Sequence, residues 1–181
     1  MNTYKLDLGE RIVEYRYFVG NNKIVYLKAE MATYLDLGRR LHTIYGCSVI
    51  CVLGFNSIER DKNIINDFIS RHHIVDAELF YLSHAQGCYD GLELVVDGVS
   101  FKKMAFVNML LDEKLNEGLT QLKAIPNIKV LAIFAEKDRS FDGVPLLKDK
   151  DLQNVEILMS RDVYHSRKIV VDKFKELLQK K

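Results

Sequence analysis

Residues 78–96 read Glu-Leu-Phe-Tyr-Leu-Ser-His-Ala-Gln-Gly-Cys-Tyr-Asp-Gly-Leu-Glu-Leu-Val-Val. An apolar strand, Glu78 to Leu82, runs into Leu82-Ser83-His84-Ala85-Gln86-Gly87-Cys88, and a helix-like stretch, Tyr89 to Val96, runs out of it. A strand that reverses abruptly into a helix holds one side chain at its apex, over the helix N-terminus. Small neighbours are needed two residues before and after that apex to avoid clashes. Ser83 and Gly87 supply them, and Ala85 is the apex. The frame is there; the hydroxyl is not.

Working outward, strand-like and helix-like segments alternate. Glu10 to Phe18 reads as a leading strand that turns at Gly20-Asn21-Asn22, and Lys23 to Ala29 as a mostly apolar strand suited to the middle of a sheet. Met31, Tyr34, Leu35, Gly38, Leu41, Ile44 and Tyr45 mark one face of a helix, with Gly46 as its C-terminal stop. Ser48 to Phe55 is a strand, and Ile64, Ile65, Phe68 and Ile69 mark a helix ending near His72-His73. Beyond Val96, Lys103 to Leu110 is a strand; Leu115, Leu119 and Leu122 mark a helix closed by Pro126. Lys129 to Glu136 and Val155 to Met159 are the last strands, and Val170, Phe174, Leu177 and Leu178 form the apolar face of a final helix. This alternation predicts a single α/β domain over residues 1–181: a three-layer sandwich, mostly parallel sheet, helices on both faces.

Three stretches together resemble the α/β-hydrolase superfamily. Ser83-His84-Ala85-Gln86-Gly87 is similar to its Gly-x-Ser-x-Gly elbow, with Ala85 at the nucleophile position. Ile128 to Asp138 resembles the late strand that ends in the acid, and Val155 to His165 the last strand and the loop carrying the histidine. Nucleophile, acid, histidine is the order of that superfamily. The resemblance implies His165 as base and Asp138 as its orienting acid, with Asp112 as the fallback acid. It also implies an oxyanion hole from the Gln86 amide and the loop Lys28-Ala29-Glu30-Met31-Ala32, hence Ala29. That loop lacks the usual His-Gly signature, and an inward Glu30 carboxylate would oppose a developing oxyanion.

Losing a triad's nucleophile costs roughly a millionfold in turnover. Ser83 and Cys88 are the alternative nucleophiles; small size explains the first, and core packing is the simpler reading of the second. The resemblance therefore implies a pseudoenzyme: a hydrolase-like protein that binds at the old active-site rim. Two alternatives stand beside it. One is a small esterase-like serine hydrolase with Ala85 engineered or the nucleophile relocated; the other is a structural or assembly partner. The segment after Leu110 has only a helix's worth of residues, so a lidless, shallow rim is expected, open to a small molecule or a protein.

Composition excludes other classes. A formal net charge of +1 gives no electrostatic footprint for nucleic acid or a charged membrane surface. No stretch approaches the roughly 20 apolar residues of a membrane span, and no secretory leader is read. Three cysteines, Cys47, Cys51 and Cys88, lack metal-site spacing, which suits a reducing, cytoplasmic setting. His72-His73 has no ligand cluster beside it, so neither a metal nor a cofactor is expected. A homodimer is compatible with all of this.

Overall fold

A computed structural model describes residues 1–9, 11–30, 32–54, 57–110, 117, 120, 123, 127–138, 144–148 and 152–179. Strands β1 (Asn2–Asp7), β2 (Ile12–Phe18), β3 (Asn21–Ala29), β4 (Cys47–Leu53), β5 (Glu78–His84), β6 (Lys103–Val107), β7 (Lys129–Ala135) and β8 (Val155–Ser160) form one sheet in the order β1-β2-β4-β3-β5-β6-β7-β8. The pairs β1–β2 and β2–β4 are antiparallel, and every other neighbouring pair is parallel. Parallel neighbours require crossovers: helix α1 (Thr33–Tyr45) lies between β3 and β4, α2 (Ile58–Arg71) between β4 and β5, α3 (Gly87–Val96) between β5 and β6, and a short α4 (Val144–Lys148) between β7 and β8, while α5 (Val163–Gln179) follows the last strand.

The expected three layers are present. Apolar residues of α2 and α3, such as Ile64, Phe68, Tyr89 and Leu92, pack on one sheet face. Those of α1 and α5, such as Leu35, Leu41, Val170 and Phe174, pack on the other. The central strands β3, β4, β5, β6 and β7 are buried on both faces, which is why they read as continuous apolar runs. Each fully buried Leu or Phe there, such as Leu82 or Phe106, contributes about 1.5–3 kcal/mol over exposure.

Several details differ from the expectations. Strand β1, which the leading-strand reading passed over, pairs along its whole length with β2. Gly46 ends α1 in the left-handed region as expected, at φ 64°. Its amide donates to the His42 carbonyl. His165 lies in the first turn of α5 rather than in a loop. Glu10, Met31, Phe55, Asp112, Leu115, Leu119, Leu122 and Pro126 lie outside the described residues. Among the described residues no helix is long and apolar enough to cross a membrane.

Candidate functional site

Strand β5 ends at His84, and α3 begins at Gly87. The two residues between them make the sharp reversal that small neighbours announce. Ala85 stands in the left-handed region at φ 48°, where an L-residue with a Cβ is disfavoured by roughly 1–2 kcal/mol. The surroundings fix it there. Its amide donates to the Val107 carbonyl at 3.0 Å, and its own carbonyl accepts from the Cys88 amide at 3.1 Å. A Cβ at Gly87 would come within 3.0 Å of the Lys28 carbonyl oxygen and 3.2 Å of the Ser83 Cβ. Gly87 and Ser83 are therefore small because β3, β5 and α3 converge on that point.

The helix that leaves the elbow is anchored from below by a buried ion cluster, which sequence analysis did not single out. Lys28, on β3, is 1 % exposed. Its ammonium bridges the carboxylate of Asp61, on α2, and that of Asp90, in the first turn of α3. Asp61 also accepts from the Tyr26 hydroxyl at 2.7 Å, and the Tyr81 hydroxyl donates to the Gly87 carbonyl at 2.6 Å. Burial pushes the Asp90 carboxyl above its ordinary range, and Lys28 partly offsets that. A lysine inside an otherwise apolar strand must find a carboxylate or lose its charge, and that was the available signal.

The alternative nucleophiles are both inside. The Ser83 hydroxyl is fully buried and donates to Cys88 Sγ at 3.4 Å. Burial lifts the Cys88 thiol to about 12, with the Ser83 hydrogen bond opposing, so the thiolate is essentially absent at neutral pH. Cys47 and Cys51 are likewise buried thiols raised to about 12. Among the described residues no group of three His, Cys, Asp or Glu side chains could hold a metal ion.

His165 and Asp138 both follow strand ends that are adjacent in the sheet, since Ala135 pairs with Ser160 in register. His165 is occupied by the start of α5. Asp162 caps that helix: its Oδ1 accepts from the His165 amide at 2.8 Å, which holds the Asp162 carboxyl below its ordinary range. In return, Nδ1 of the His165 ring accepts from the Arg161 amide at 3.2 Å. This second bond falls one residue short of a capping box, in which the third helical residue would return to the cap residue's own amide. It selects the ring tautomer with its proton on Nε2, the reverse of the one a triad base uses. The Asp138 amide turns back onto the Ala135 carbonyl at 2.9 Å, and its carboxylate acts electrostatically on His84 and Tyr34. Gln86 caps α3 in helical conformation, so its amide opens the helix N-terminus beside the apex. Ala29 ends β3, buried, with its carbonyl accepting from the Gly54 amide at 3.1 Å, and Glu30 beyond it is exposed.

The rim has a second set of residues to which sequence analysis gave no site role. The Tyr34 and His84 rings lie in contact, centroids 5.1 Å apart. The Arg167 guanidinium sits 5.7 Å from the Tyr34 ring centroid and 5.5 Å from that of Tyr164, which is exposed. Burial drives the His84 ring pKa down, Asp138 and Glu30 pull it up, and Arg167 adds to the lowering. Burial raises the Tyr34 phenol, opposed by Arg167. On the neighbouring strand end, Asn108 is 1 % exposed and left-handed at φ 48°, and its Oδ1 accepts from the Ala135 amide at 2.8 Å. Ala85 and Asn108 thus both stand in the left-handed region, on adjacent strand ends.

No protein-family model matches the chain, and none of the curated proteins does. Solved structures do. The chain is similar to the esterase domain of a Rhodothermus marinus protein, at a TM-score of 0.75 and 11 % identity over 97 % of this chain and 96 % of that one. The thioesterase domain from the curacin biosynthetic pathway superposes at 0.70, with 9 % identity over 99 % of each chain. A carboxylesterase from Mesorhizobium loti superposes at 0.67, with 14 % identity over 97 % and 99 %. Together with the sheet order and the elbow, these likenesses establish that the chain has the α/β-hydrolase fold.

Proposed function

We propose that this protein is a pseudoenzyme: it keeps the hydrolase scaffold, performs no acyl transfer, and uses the strand-end rim to bind a partner molecule. One observation carries the reading. A methyl group stands at the apex of a formed elbow, at the left-handed position from which a nucleophile would act. The surroundings support it, because His165 Nδ1 is engaged with the Arg161 amide and Asp138 acts on His84. Neither Ser83 nor Cys88 is placed to take over, both being buried. Removing a triad's nucleophile alone costs roughly a millionfold, and here the base is also held in the opposing tautomer.

The test restores the hydroxyl. Ala85→Ser is incubated with a fluorophosphonate probe, and covalent labelling is read by intact mass. The degenerate site predicts a folded variant that stays unlabelled. Stoichiometric labelling of Ser at position 85 would instead support the second reading, a serine hydrolase lacking only its nucleophile.

A further inference from the structure

Buried polar groups are almost always partnered, so those that are not point to something missing. At the rim three such atoms belong to one contiguous stack: the Tyr34 hydroxyl, His84 Nδ1 and Arg167 Nε are all shielded from solvent without a hydrogen-bond partner. The Asn108 side-chain nitrogen, on the strand end beside Ala85, is a fourth. Their chemistry is one-sided. Arg167 Nε and Asn108 Nδ2 can only donate, the Tyr34 hydroxyl donates readily, and His84 Nδ1 donates in one of its two neutral tautomers. A cluster of donors without acceptors calls for an acceptor-rich ligand. The most costly orphan is the charged one, because hydrogen bonds to a guanidinium are worth roughly twice neutral ones, and its planar fork matches a carboxylate.

Resting on the rim-binding reading above, we infer that the ligand carries a carboxylate, held by Arg167 and Tyr34 beside His84. The negative charges nearby do not supply the missing acceptor. Glu30 is exposed to water, and Asp138 has contacts of its own. Tyr164 across the guanidinium offers an exposed ring against which the organic body of such a ligand can lie.

The experiment uses the whole chain and defined probes. Sodium acetate, butyrate and benzoate are titrated at constant ionic strength, alongside methyl butyrate and butyramide as neutral counterparts. Binding is followed by melting temperature and by backbone amide NMR. The expected result is a saturable rise in melting temperature with the carboxylates, with shifts at the Ala85 and Gln86 amides. Arg167→Gln should weaken that binding about tenfold or more, the loss expected for a charge-assisted contact. Tyr34→Phe removes one hydroxyl and no shape, so it reports even if the arginine variant unfolds; it should weaken binding several-fold. Carboxylate binding unchanged in a folded Arg167→Gln, or in Tyr34→Phe, overturns the inference. If only the neutral probes move the Ala85 and Gln86 amides, the carboxylate assignment falls and rim binding stands. If no probe moves them, both fall.

Discussion

Lys28→Met removes the cation that the Asp61 and Asp90 carboxylates share while keeping most of the unbranched side-chain stem. Asp61 is 0 % exposed and the Asp90 side chain 13 %, so neither can recover full hydration. Breaking a buried ion pair from one side costs about 3–5 kcal/mol. With two carboxylates orphaned, the upper half of that range is expected. For a chain of this size about 2–4 °C of melting temperature accompany each kcal/mol, so the loss should be about 8–20 °C. The sign with pH is also fixed. Burial raises the Asp90 carboxyl, and without Lys28 the group that offsets that rise is gone. The contribution of Asp90 is then present below its unfolded value, near pH 4, and is lost as pH rises through the raised one. Asp90 is already raised in the wild type, so the comparison is the difference between the two proteins. Circular dichroism melts at pH 8 and pH 5 should show a deficit that is largest at pH 8 and shrinks at pH 5. Replacing the cluster outright, with Tyr26→Phe, Lys28→Met, Asp61→Leu and Asp90→Leu together, should recover most of the stability. A Lys28→Met loss under about 1 kcal/mol, the size of an exposed pair, would refute the reasoning.

The elbow predicts that Gly87→Ala destabilises by about 1–3 kcal/mol, the usual cost of overpacking, because the new Cβ meets the backbone of Lys28; urea melts check it. Asp162→Ala should loosen the start of α5, read as faster amide exchange at Tyr164 and His165. The cysteine thiols, raised to about 12 by burial, should resist iodoacetamide at pH 8 in the native state and react in denaturant. Native alkylation at Cys88 would reopen it as a nucleophile.

Much of this was written in short-range pattern. The reversal at Ala85 was legible because Ser83 and Gly87 are sized for a convergence of three elements, and the strands because two-sided burial leaves apolar runs. The His165 environment was hidden by its own capping signal. Asp162-Val163-Tyr164-His165 starts a helix through the Asp162 cap on the His165 amide, with a histidine where the capping-box glutamate is usual, so the segment read as loop. The Lys28–Asp61–Asp90 cluster joins residues on three elements, and no local spacing links them. Tyr34 sat on the apolar stripe of α1 and read as core; only the three-dimensional stack with His84 and Arg167 shows a hydroxyl without a partner.

The measurement that bears most directly on the methyl at the elbow is hydrolysis of short p-nitrophenyl esters by the unaltered protein, beside His165→Ala and buffer. We expect all three rates to coincide. Turnover above buffer that His165→Ala abolishes would show a working catalytic site on this scaffold and contradict the binding reading outright.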